Sequence, residues 1–183
     1  MVSPAKALDF ESPLPTAKHS QPILIDRSEK LIDLMVQKSP DELSKMMSIS
    51  ASLADLNHQR FQDWTTPFTP DNARPAVLAF DGDTYTGLDV AHSFSERDYT
   101  HSQKVLRILS GLHGVLRPLD LIQPYRLEMG SKLTHDNGSD LYSYWGGEVT
   151  DQLNAALAES PGAALLINLA SNEYFAVVQP ERL

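Results

Sequence analysis

Apolar positions along this chain change period several times, and each change marks a new element. Between residues 26 and 64 the spacing is helical. Leu31, Leu34 and Met35 fall on one face, Leu43, Met46 and Met47 on another, and a further helical stretch covers 53–64 before Thr65-Thr66-Pro67. Asp26-Arg27-Ser28-Glu29 resembles a capping box. Ser39-Pro40-Asp41-Glu42 is a fuller start signal, with Ser39 as N-cap, Pro40 at the first helical position and Glu42 able to reach back. Short apolar runs follow. Ala76-Val77-Leu78-Ala79-Phe80 reads as a buried strand ending at Asp81-Gly82-Asp83, and Leu165-Leu166-Ile167-Asn168-Leu169 as a second. Residues 125–133 read as another strand, leading into an Asp136-Asn137-Gly138 turn. Between them, Ser95-Glu96-Arg97-Asp98 caps a helix carrying Val105, Leu106, Ile108 and Leu109, and a helix over 139–158 is weakened at Gly146-Gly147. The opening 3–22 holds Pro4, Pro13, Pro15 and Pro22 and is expected to be irregular. Helices alternating with short strands, with no repeat or linker, predict one mixed α/β (α+β) domain over 1–183, a central sheet flanked by helices.

Composition narrows the chemistry. The 183 residues contain no Cys, which removes disulfides, thiol catalysis and Cys-ligated metal or iron–sulfur centres. No apolar run approaches the roughly 20 residues that span a bilayer, and Met1-Val2-Ser3-Pro4-Ala5-Lys6 lacks the charged start and apolar core of a signal peptide. A cytoplasmic protein without a membrane partner is the expectation. The net charge of −9 speaks against nucleic acid, but it is unevenly spread. Residues 101–126 hold Lys104, Arg107, Arg117 and Arg126 against Asp120 alone, a basic island in an acidic protein.

That island contains the most informative pattern, Leu109-Ser110-Gly111-Leu112-His113-Gly114-Val115-Leu116-Arg117. An apolar helix that meets two close glycines and resumes apolar reads as a helix–hairpin–helix-like element. Its glycines would let backbone N–H groups approach a phosphate, and nearby cations would hold the DNA backbone without reading sequence. Two residues separate the glycines where the usual hairpin has one, and Pro118 interrupts the second helix. The competing reading is a glycine-terminated helix packed on the core. Lys104, Arg107, Gly111, Leu112, Gly114, Arg117 and Arg126 form the candidate nucleic-acid site.

A second set of polar residues gathers near predicted strand ends: Lys6, Asp83, Glu128, Asn168, Ser171 and Glu173. Together they could wall a polar cleft. Individually each has a plainer reading: a solvated Lys6, a polar turn at Asp81-Gly82-Asp83, an Arg126–Glu128 ion pair and a hydrogen-bonded Asn168. The six His form no metal-ligand spacing, and no phosphate-binding loop, dinucleotide fingerprint or nucleophile elbow is present. No metal, cofactor or catalytic residue is assigned.

Several segments together carry a resemblance: Ser3-Pro4-Ala5-Lys6, Phe61-Gln62-Asp63-Trp64, Gly82-Asp83, Tyr85-Thr86-Gly87-Leu88, Ser110-Gly111-Leu112, Gly114-Val115-Leu116-Arg117-Pro118-Leu119-Asp120, Pro124-Tyr125-Arg126-Leu127-Glu128-Met129-Gly130 and Asn168-Leu169-Ala170-Ser171-Asn172-Glu173-Tyr174-Phe175. In this order they resemble the bacterial peroxide stress protein YaaA family, from the first residues to about Pro180. The resemblance implies a protein that limits unincorporated iron under hydrogen peroxide and protects DNA. It also implies a single mixed domain with a helix–hairpin–helix-like element beside a positive cleft, and binding of double-stranded DNA. A monomer is expected. Against the family pattern the chain is expected to be shortened at both ends, losing part of a first strand and a basic region beyond Pro180. The alternative function is an enzyme acting on a nucleotide or nucleobase in the polar cleft.

Overall fold

The computed structural model describes residues 1–183. Its helices are α1 (Ile25–Met35), α2 (Pro40–Met47), α3 (Ala51–Asp63), α4 (Ala76–Ala79), α5 (Asp83–Leu88), α6 (Val90–Ser93), α7 (Glu96–Val105), α8 (Leu141–Trp145), α9 (Glu148–Ala158) and α10 (Asn172–Phe175). Its strands are β1 (Ala7–Leu8), β2 (Arg74–Pro75), β3 (Phe80–Asp81), β4 (Ile108–Ser110), β5 (Gly114–Leu116) and β6 (Leu121–Ile122). They pair antiparallel as β1–β3, β2–β6 and β4–β5. This is the mixed α+β domain expected, but with three small ladders in place of one central sheet.

The longest ladder is extended by single chain crossings. Val2 donates its N–H to the Arg107 carbonyl (2.9 Å) and accepts from Leu109 N–H (3.0 Å). On its other side the Met1 ammonium donates to the Ile167 carbonyl at 2.7 Å, and Leu169 N–H donates to the Met1 carbonyl at 2.9 Å. Met1-Val2 therefore runs parallel between β4 and residues 167–169.

Local signals explain the helices. Ser39 and Glu42 form the full capping box on α2, and Ser95 and Asp98 do the same on α7. Helix α1 starts instead from Leu24 without a side-chain cap, so Asp26-Arg27-Ser28-Glu29 is not a capping box. The 139–158 helix is broken at Gly146-Gly147 into α8 and α9. One apolar core of 36 buried residues unites α1, α2, α3, the β4–β5 hairpin, α8 and α9.

Three strand predictions need correction. The Ala76–Phe80 run is buried as expected, but Ala76–Ala79 turns once as α4 between two very short strands. A five-residue apolar run does not distinguish strand from buried helix. Residues 125–133 alternate buried and exposed as an extended chain should, yet they have no ladder partner. The predicted buried strand at 165–169 is extended but exposed: Leu165, Ile167 and Leu169 are 69%, 61% and 73% accessible. Met1 hydrogen-bonds along it, and Leu166 packs against the core.

The largest correction concerns the glycines. Helix α7 ends at Val105, and Ile108, Leu109 and Ser110 continue as β4 rather than as helix. The Gly111-Leu112-His113 turn leads straight into β5, so the element is a β-hairpin, and every residue from Ile108 to Leu116 is buried. Gly114 has φ +67, the left-handed region, with the Trp145 ring packed where a side chain would go. At Gly111 a Cβ would overlap the Leu127 carbonyl oxygen. Trp145, itself buried, donates its indole N–H to the Gly111 carbonyl at 3.0 Å. The two glycines thus serve close packing, not phosphate approach.

His113 sits at the hairpin tip with no solvent exposure. Its Nδ1 lies 2.8 Å from Ser28 Oγ, its backbone N–H donates to Ser110 Oγ at 2.9 Å, and its ring meets Phe68 and Tyr125 edge-on. Burial pushes its pKa down from 6.5 to about 3.

Two measurements check this arrangement. Gly111→Ala is expected to destabilise the fold by about 3 kcal/mol in urea denaturation, because the opposing atom is backbone and cannot rotate away. The second concerns acid. Between pH 6.5 and 3 the unfolded imidazole is protonated while His113 in the fold is not. Its contribution is therefore intact above about pH 6.5, and stability falls as the pH drops, by up to about 1.4 kcal/mol per pH unit. Denaturation midpoints between pH 7 and 4.5 should show this slope, and His113→Leu should flatten it.

Candidate functional site

The structure divides the candidate nucleic-acid residues by accessibility. Gly111, Leu112 and Gly114 are in the core. Arg117 is spent on structure. Its Nη2 donates to Asp120 Oδ1 at 2.8 Å and to the Gln21 carbonyl at 2.8 Å, and its backbone N–H donates to Asp120 Oδ2 at 2.7 Å. Asp120 is completely buried and also accepts from Ser20 Oγ at 2.7 Å. Arg126 is mostly buried and paired with Glu128 at 2.8 Å. Lys104 stays exposed, and Arg107 is half-buried with its Nη1 on the Gln103 and Leu106 carbonyls. Burial first, and the Arg117 charge second, work against the Arg107 cation. The basic island is continuous in sequence but divided in space.

Lys104 gains neighbours that the sequence reading did not include. Arg97, His101 and Lys104 stand at i, i+4 and i+7 on α7, one helical face, and all three are exposed. With Lys18 and Pro161 they line a shallow groove. The acids at this helix start are already engaged: Glu96 pairs with Lys18 at 3.1 Å, and Asp98 is held by the Ser95 cap. Nine of the fifteen Lys and Arg side chains have a carboxylate partner. Of the six without one, Arg97, Lys104 and Arg107 lie on α7 or just beyond it, while Lys30, Lys45 and Arg60 are scattered over α1, α2 and α3. The i, i+4, i+7 spacing was legible in the sequence, but which cations escape pairing was not.

Two helices joined by a short turn do occur at α2–α3, where Ser48-Ile49-Ser50 connects them and they pack on each other. Their exposed side chains include Asp41, Glu42, Asp55 and Asp63 against Lys45. That balance is unfavourable for a phosphate backbone.

The polar-cleft residues are partly assembled. Lys6 Nζ lies 3.2 Å from Glu128 Oε1, the same oxygen that accepts from Arg126 Nη2 at 2.8 Å. Around this triad the chain is fixed by small polar contacts. Ser171 N–H donates to Ser3 Oγ at 2.9 Å, Tyr85 OH donates to the Ser3 carbonyl at 2.9 Å, and Gly130 N–H donates to Glu173 Oε1 at 2.9 Å. Ser171 and Glu173 thus brace the chain beside the cleft without lining it. Asn168 and Asp83 do not reach it: the Asn168 side chain accepts from Ala170 N–H in its own turn, and exposed Asp83 opens α5.

Three tyrosines were missed. Tyr85, Tyr125 and Tyr174 are buried beside the triad, and burial, followed by their mutual proximity for Tyr85 and Tyr174, raises their hydroxyl pKa values. They stay protonated, as neutral donors. Tyr125 OH lies 2.6 Å from Ser110 Oγ, which ties the cleft to the core hairpin. Tyrosines separated by 40 and 49 positions give no periodic signal, so only folding brings them together.

No group of three or more His, Asp or Glu side chains is arranged to hold a metal ion, and no helix is long and apolar enough to cross a membrane. Compared with known families, residues 1–183 match the family described as peroxide stress protein YaaA. The chain belongs to that family.

Proposed function

We propose that this member of the peroxide stress protein YaaA family binds double-stranded DNA through phosphate contacts made by the exposed face of α7. The observation that supports this reading is the concentration of cations without carboxylate partners at Arg97, Lys104 and Arg107, with His101 between them. Cations without carboxylate partners on a helix face (Arg97, Lys104) and just beyond it (Arg107) attract a phosphate backbone without reading bases, which suits protection of DNA irrespective of sequence. The rest of the surface, with its excess of acids, repels DNA and leaves this face as the point of contact. Keeping free iron low under peroxide is the other half of the proposed role, and no residue of this chain is assigned to it.

Fluorescence anisotropy with a labelled duplex tests the DNA reading. Three phosphate contacts predict a log K against log salt slope of about −2.7, since each contact contributes about −0.9. Arg97→Glu combined with Lys104→Glu should weaken binding at least tenfold at low salt and flatten the slope. Unchanged binding by that variant would overturn the assignment.

A further inference from the structure

We propose that the cleft bounded by Lys6, Arg126 and Tyr174 is a binding site for the phosphate group of a small ligand, separate from the α7 face. Three features meet there. The first is charge. One carboxylate oxygen, Glu128 Oε1, serves both Lys6 and Arg126, so the triad carries one more positive than negative charge. Lys6 keeps most of its side chain in solvent, at 67% exposure, so its ammonium is available to a second partner.

The second feature is the Arg126 guanidinium. Its Nη2 bonds Glu128, while Nε is buried and has no hydrogen-bond partner. A buried N–H without an acceptor costs about 1–3 kcal/mol, and an arginine edge is matched by two oxygens of a phosphate. An incoming phosphate oxygen at Nε, with another at Lys6 Nζ, would satisfy both cations together. Glu128 then acts as the internal anion that holds the two cations in place and competes with the ligand for them.

The third feature is shape. The cleft is narrow, with about 20 Å³ of free space between Pro4, Ala5, Phe80 and the Tyr125 and Tyr174 rings. That is room for one water-sized group, so a single phosphate oxygen enters it while the rest of the ligand stays in solvent beside Lys6. The walls are aromatic or apolar and the neighbouring phenols stay uncharged; the second carboxylate nearby, Glu173, is held by the Gly130 N–H.

Isothermal titration calorimetry of the full chain at low salt, with inorganic phosphate and with ribose 5-phosphate, tests this site. One-to-one saturable binding of at least one of them is expected. Lys6→Met should weaken it about tenfold or more, and Glu128→Gln should strengthen it several-fold by removing the competing anion. The Arg97→Glu, Lys104→Glu variant should bind as the native chain does, which keeps this result independent of the DNA reading. Tighter binding of ribose 5-phosphate identifies a monoester ligand, and equal binding identifies free phosphate. No saturable heat with either anion would overturn the proposal. Undiminished binding in Lys6→Met, or weaker binding in a Glu128→Gln variant with native near-ultraviolet circular dichroism, would do the same.

Discussion

The fold depends on the approach of one extended segment to one glycine. The Leu127 carbonyl lies where a Gly111 side chain would be, which lets residues 125–130 lie directly over the β4–β5 hairpin. Alternation along that segment then sends Tyr125, Leu127 and Met129 into the core and leaves Arg126 and Glu128 on the other side. The cleft is therefore built on the back of the core packing. A bulkier residue at 111 would lift the segment and separate Tyr125 from Ser110, Arg126 from its surroundings and Glu128 from Lys6. Trp145, bonded to the Gly111 carbonyl and stacked against Gly114, clamps the hairpin from the opposite side.

Around this centre, regular sheet is scarce and single hydrogen bonds do the joining. Met1-Val2 links β4 to residues 167–169 with four backbone bonds, and Ser3 then ties the same N-terminal strand to Ser171. The start of the chain and its last quarter are held side by side, which brings Lys6 and Tyr174 to one cleft. Alternation along 165–169 exposes Leu165, Ile167 and Leu169 on one face, while Leu166 packs on the core.

Much of this was legible in the sequence wherever the signal is local. The capping boxes at Ser39 and Ser95, the break at Gly146-Gly147 and the alternation over 125–133 are all set by neighbours within a few residues. The failures are non-local. Nothing near Gly111 distinguishes a glycine that admits a phosphate from one that admits Leu127. The apolar run at 165–169 has the composition of a core strand, and only its neighbours decide that Leu165, Ile167 and Leu169 lie exposed. For the polar cleft, Lys6 and Glu128 meet and Ser171 and Glu173 brace the chain beside them, whereas Asn168 and Asp83 are satisfied or exposed elsewhere. Charge counting found the basic island but not its division: Asp120 and Glu128 remove Arg117 and Arg126, and Arg97 and His101, outside the window, supply the accessible face with Lys104.

The resulting picture is a buried core hairpin that supports two polar surfaces, the cationic face of α7 and the Lys6–Arg126 cleft. The proposed DNA contact needs only a local excess of free cations, so a net charge of −9 does not oppose it. Hydrogen exchange by mass spectrometry, with and without duplex DNA, tests this division most directly. The account predicts that amides of 108–116 exchange only through global opening and do not change on adding DNA, while 97–104 gains protection. DNA-induced protection at 108–116, with 97–104 unaffected, would contradict it.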